Sequence, residues 1–195
     1  MDAITDLNVY LIKEHVGLFK AANNYDIYDP STGQIIMECR EPVLGFITKM
    51  LRFTDYKRHT PFDVQIRTPN DQRIVRVQRG ISLFLSDVEV RDENNELIGR
   101  FSQKLFSIGG KFDVQDRDGN ELCQLEGNWI GWDFRFKRNE QEIARVTKKW
   151  AGLGREMITS ADNYVLEIAE SVSAEDPIRK LILAAVMCID MVLKE

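Results

Sequence analysis

Cysteine, histidine and proline are scarce in this chain, with three, two and five among 195 residues. Cys39, Cys123 and Cys188 contain no Cys-x-x-Cys pair and leave an odd thiol under any pairing. That excludes a disulfide scaffold and favours a reducing interior. The same three residues fall in three separate elements, so their spacing does not describe a metal cluster. With only His15 and His59, no Gly-x-Ser-x-Gly elbow and no phosphate loop, no catalytic constellation emerges, and the chain reads as non-enzymatic. An excess of positive charge is lacking too. Twenty-six basic residues against 31 acidic ones give a formal charge of -5, so nucleic acid is not the expected partner. The N-terminal stretch has neither the basic nor the uninterrupted apolar region of a signal peptide, and the expected location is cytoplasmic. At 44% hydrophobic and 29% charged, disorder and collagen-like repeats are excluded, and one domain over residues 1–195 is expected.

What is present is an internal repeat. Five segments alternate apolar and polar residues, pass through a polar turn, and alternate again. They open with Tyr25-Asp26-Ile27, Phe62-Asp63-Val64, Val88-Glu89-Val90, Phe112-Asp113-Val114 and Phe134-Arg135-Phe136. They return with Ile36 to Cys39, Ile74 to Val77, Ile98 to Phe101, Leu122 to Leu125 and Ile143 to Val146. Period-two alternation on both sides of turn formers predicts five β-hairpins. The run from Asp116 to Asn120 has its glycine in the fourth position, too early for a calcium loop, and reads as one of these turns. Val9 to Ile12 and Tyr164 to Ile168 add two strands. About twelve antiparallel strands are too many for a flat open sheet, so the sheet should split or close.

The C-terminus offers a filling for a closed sheet. Asp176 can cap a helix with Pro177 in its first position, spanning about residues 177–193. Leu181 to Ile189 is apolar on every side, which marks a buried helix. A membrane span needs about 20 apolar residues. This stretch is shorter and carries Arg179, Lys180 and Asp190, so the barrel-filling reading is preferred. Trp129, Trp132 and Trp150 are read as core rather than as a ligand cradle.

Residues 41–60 break the rhythm. Val43, Phe46, Ile47, Met50 and Leu51 recur at helical spacing, and Lys49, Arg52, Lys57 and Arg58 make the segment locally cationic. Two readings stand: a helix plugging one end of the barrel, or an interfacial segment for an anionic phospholipid surface.

From Lys148 onward a more specific signature appears. Lys148, Trp150, Gly152, Arg155-Glu156, Thr159 and Ala161-Asp162-Asn163-Tyr164, followed by the apolar terminal helix, resemble the phospholipid scramblase family. Gly33-Gln34 and Thr60-Pro61-Phe62 extend the likeness over essentially the whole chain. The family is similar in turn to the tubby-like and LURP-one-related proteins. That implies a closed barrel of twelve antiparallel strands around a central C-terminal α-helix, in agreement with the strand count.

The departures bear on function. Calcium-activated members carry an acidic loop before the terminal helix. Here its first acidic position is Ser160, Asp162 is retained, and the last falls near Ser171. A hard cation wants six to eight oxygen ligands, several of them carboxylate. Asp162 is therefore the single metal candidate, a turn residue is the preferred reading of it, and no cofactor is expected. The cysteine-rich palmitoylated loop of animal scramblases has no counterpart in residues 41–60. Membrane association would rest on Lys49, Arg52, Lys57 and Arg58 with their apolar neighbours, as a peripheral and reversible contact.

Overall fold

In the computed structural model, described for residues 5–15, 24–41, 61–80, 87–103, 111–128, 131–150, 157–158 and 163–193, the hairpins close into a barrel. Its strands are β1 (Val9–Glu14), β2 (Tyr25–Tyr28), β3 (Ile35–Arg40), β4 (Phe62–Arg67), β5 (Arg73–Arg79), β6 (Asp87–Asp92), β7 (Leu97–Gln103), β8 (Phe112–Asp116), β9 (Glu121–Asn128), β10 (Asp133–Arg138), β11 (Gln141–Thr147) and β14 (Asn163–Ile168). Each pairs antiparallel with its neighbours in chain order, and β1 closes the ring by pairing with both β2 and β14. Between β11 and β14 lies a feature that periodicity did not announce, a two-stranded ribbon of β12 (Lys149–Trp150) and β13 (Met157–Ile158). Two residues per strand are too few to show alternation.

The repeat extends to backbone detail. All five hairpins carry a register shift beside the turn, at Ile27/Tyr28, Ile66/Arg67, Val90/Arg91, Val114/Gln115 and Phe136/Lys137. Each turn places a residue in the left-handed region: Gly33, Asp71, Asn95, Gly119, and the pair Asn139 and Glu140. Such bulges bend and twist the strand pair, and the curvature lets the sheet close. Two turns are fixed identically: Asp92 Oδ1 accepts from the backbone N–H of Asn94 and Glu96, and Asp116 Oδ1 from that of Asp118 and Asn120.

Inward positions are apolar and the helix α1 (Ile178–Leu193) fills the lumen. Every residue from Leu181 to Ile189 is at most 6% exposed, so no face of this part of the helix meets water. It begins as expected, with Asp176 Oδ1 accepting from Ile178 N at 3.0 Å. The packing is close enough that β7 needs a glycine: a Cβ on Gly99 would meet Leu181 Cδ2 at 2.8 Å and the carbonyl oxygen of Gln115. Among the described residues no helix is long and apolar enough to cross a membrane.

Outward positions are charged and cross-linked. Asp63 accepts from Arg76 Nε and Nη2 at 2.9 and 2.6 Å, and Arg91 donates to Glu89 at 2.8 Å. Glu126 accepts from Lys111 and Lys137 at 2.8 and 3.0 Å. A wall that faces lipid carries an outward apolar band; this wall is built the other way round. One small exception is an outward apolar cluster of Leu11 and Val165, packed with Val9 and Tyr28.

Candidate functional site at one rim of the barrel

The two ends of the barrel are built differently. At one end lie the five tight turns and the start of α1. Lys180 Nζ reaches Glu93 in the β6–β7 turn at 2.7 Å, and Arg138 Nη1 reaches Asp176 at 3.2 Å. Arg179 ties the same end shut. Its guanidinium donates to the carbonyls of Thr5, Leu7, Val172 and Ser173 and to Asn8 Oδ1, at 2.6–3.2 Å, while only 3% exposed. Its neighbour Tyr10 has its hydroxyl pushed up to about 12, by burial above all.

At the opposite rim the strands end in the long connections, and the C-terminal half of α1 arrives beside Cys39 and Arg79. Lys49, Arg52, Lys57 and Arg58 belong to the β3–β4 connection, and Asp162 immediately precedes β14; all five lie outside the described residues. Their flanks are described. Glu41 after β3, Pro61 before β4 and Asn163 at the start of β14 all stand on this rim, so the barrel brings the roots of both segments to one end.

The described rim holds three side-chain groupings. In the first, Asp26 receives Arg40 Nη2 on one oxygen and faces His15 Nε2 at 2.7 Å on the other. Burial raises its carboxyl, and hydrogen bonds from Arg40 and His15 more than offset that, leaving it below the usual range. In the second, Arg135 and Arg145 stand directly opposite each other on β10 and β11. Such like charges repel unless neutralised. Asp133 does so, accepting from Arg145 Nε and Nη2 at 2.8 and 2.7 Å and from Arg135 Nη2 at 3.0 Å. The Arg145 hydrogen bond, ahead of Arg135, brings the Asp133 carboxyl down to about 2.

The third grouping is aromatic. Trp132 stacks on Tyr164 with centroids 4.8 Å apart, meets Phe134 edge-on at 5.7 Å, and lies 4.2 Å beneath Lys148 Nζ. Trp132 is thus half core, as read from the sequence, and half surface; the Trp129 and Trp150 side chains lie outside the described residues. Just inside the mouth, Arg79 is buried with its guanidinium 4.8 Å from the Phe62 ring.

These groups bind and brace; they do not form a nucleophile–base pair. Among the described residues no three of His, Cys, Asp or Glu converge in a way that could hold a metal ion. All three thiols are buried, Cys39 and Cys188 are pushed well up by burial, and Cys123 is raised to about 12 by the same cause. They are packing groups, inert to exchange. A cleft of about 190 Å³ runs along the outer wall beside Glu38, Arg40, Gln65, Arg67 and Asp71. Its two arginines are already neutralised by Asp26, Glu38 and Asp71, so it offers no anion site.

Sequence reasoning missed Arg179 and the Trp132–Tyr164–Lys148 stack. Arg179 reaches acceptors up to 174 residues away, and no local pattern encodes that. A basic residue at the second position of a helix that is apolar on every side from Leu181 to Ile189 was the available signal.

A closed antiparallel barrel, polar outside and filled by its own terminal helix, defines a tubby-like fold. The comparisons agree: an Arabidopsis thaliana protein solved by X-ray crystallography superposes with a TM-score of 0.52 at 13% identity, over 97% of this chain and 94% of that one. The family model described as Scramblase matches residues 7–195, and the chain belongs to the Scramblase family. It is similar to phospholipid scramblase 2 of Homo sapiens, 21% identical over 86% of this chain and 61% of that protein. It is also similar to a phospholipid scramblase family protein of Schizosaccharomyces pombe, 22% identical over 83% of this chain and 45% of that one. The matched region thus spans about half to three-fifths of these relatives' lengths.

Proposed function

We propose that this protein is a cytoplasmic, peripheral lipid-interacting barrel that meets anionic phospholipid surfaces end-on, through the rim of long connections. The observation that carries the reading is the asymmetry of the ends. One end is closed by short polar turns and Arg179, while the other roots the cationic, apolar segment of residues 41–60. Membership of a family whose relatives are named for phospholipid scrambling supports a lipid partner. The packed lumen argues against a headgroup path through the barrel, which favours a second reading: a regulatory or interaction module without scrambling activity. A headgroup-flip assay in reconstituted vesicles separates the two.

Each basic group near an anionic surface contributes about 1 kcal/mol. Reversing Lys49, Arg52, Lys57 and Arg58 to glutamate is therefore expected to abolish sedimentation with acidic vesicles at low salt, with the melting temperature nearly unchanged. Equal sedimentation of both proteins would remove this segment as the contact.

Calcium is not part of the proposal. No rise in melting temperature is expected at physiological calcium, since a ligand stabilises only what it occupies. Micromolar affinity by calorimetry, lost in Asp162→Ala, would contradict this.

A further inference from the structure

The first grouping on the rim is built around His15, the one histidine among the described residues. His15 directly follows β1, and its backbone N–H donates to the Asn24 carbonyl at 2.9 Å, closing the β1–β2 ladder. Asn24 Oδ1 in turn accepts from the backbone N–H of Glu41, the first residue of the cationic β3–β4 connection. The His15 side chain is 34% exposed, so it can exchange protons with solvent, and its Nε2 lies 2.7 Å from Asp26 Oδ2. Burial raises the Asp26 carboxyl, but hydrogen bonds from Arg40 and His15 bring it below the usual range, so Asp26 stays charged wherever a histidine titrates. On the same outward face, Lys13 stands opposite Asp26 on one side and Glu38 on the other, with Glu38 3.3 Å from Arg40. Glu14 precedes His15 in the chain and Glu41 follows Arg40. Tyr28, its hydroxyl pushed up by burial, remains uncharged.

We propose that His15 is an acid sensor for this rim and, on the reading that the rim meets anionic phospholipid, tightens that contact as the pH falls. A charged Asp26 oxygen can only accept, so His15 Nε2 carries a hydrogen in both states and the titrating proton is taken up at Nδ1. The link to Asp26 therefore persists through the titration while the charge of the ring changes. Lys13 and Arg40 balance Asp26 and Glu38 one for one, so the added proton tips this outward cluster from neutral to positive. Asp26 holds the ring beside the root of residues 41–60, which places the new charge on the end that carries the cationic segment. Histidine changes charge between about pH 5 and 8, so the gain is present at the acid side of that window and lost as the pH rises through it. One added cation at an anionic surface is worth about fivefold in affinity.

The test is sedimentation of the full chain with phosphatidylglycerol vesicles, whose own charge is constant across this window, at about pH 5.5 and about pH 7.5. The native protein is expected to bind about fivefold tighter at the acid pH. His15→Gln, neutral at both, is expected to bind at the acid pH only as well as the native protein does at the neutral one. His15→Lys, charged at both, is expected to bind at the neutral pH as tightly as the native protein does at the acid one. His59, within the cationic segment, is the chain's other histidine, and His59→Gln is expected to keep the fivefold ratio. Melting temperatures at both pH values verify that the variants are folded, and the two opposite substitutions at position 15 cannot both be mimicked by a folding defect. Equal native binding at the two pH values, a ratio that survives in His15→Gln, or a ratio lost in His59→Gln overturns the proposal. No native binding at either pH would instead overturn the end-on lipid reading on which it depends.

Discussion

Ala185→Asp is expected to prevent folding. Ala185 is 0% exposed at the middle of α1, with buried residues before and after it and the apolar inner wall around it. A carboxylate there would displace apolar packing in a lumen shielded from water, and a charge buried in apolar surroundings costs several kcal/mol against a total stability of about 5–15. The measurement is circular dichroism and solubility of the purified protein, with Asn94→Asp as the control that places a like charge in an exposed turn. A folded Ala185→Asp protein with native melting temperature would mean that α1 does not fill the barrel.

Arg179→Met is expected to cost about 3–4 kcal/mol, read as a lowered urea midpoint. The guanidinium, itself only 3% exposed, satisfies four backbone carbonyls and Asn8 Oδ1. Methionine keeps the length of the side chain and none of the donors. The position is otherwise unfavourable for a cation, because the start of a helix already carries partial positive charge; the five acceptors are what reverse the balance. Arg179→Lys is expected to recover only part of the loss, since an ammonium offers three donors where the guanidinium offers five. A midpoint within about 0.5 kcal/mol of native for Arg179→Met would show that the latch is ornamental to stability.

The wall of the barrel was legible because each strand repeats a local rule: apolar in, polar out, with turn formers between. Tyr25, Phe62, Val88, Phe112 and Phe134 each open a strand or stand one residue inside it, and all are buried. The helix was legible from Leu181 to Ile189 because a segment apolar on all sides has to be enclosed. What escaped depends on proximity across the ring. Lys148, Trp132 and Tyr164 meet only because the rim gathers three strand ends. Leu11 and Val165 point outward yet are 8% and 1% exposed, against the alternation rule. Most of the candidate site residues read from the sequence sit in the β3–β4 connection. That segment lies outside the described residues, and its reading rests on helical spacing, charge and apolar content.

The central claim, that the barrel meets membranes by one end, is most directly tested by depth-dependent fluorescence quenching. The native thiols are buried with raised pKa values, so a single added cysteine can be labelled selectively. Gly80 on the rim has open space around its Cβ position, and Asp118 sits in an exposed turn at the opposite end. With acidic vesicles containing brominated lipid, the label at Gly80→Cys is predicted to be quenched and the label at Asp118→Cys to be unaffected. Quenching at Asp118→Cys alone, or equal quenching at both, would contradict the account.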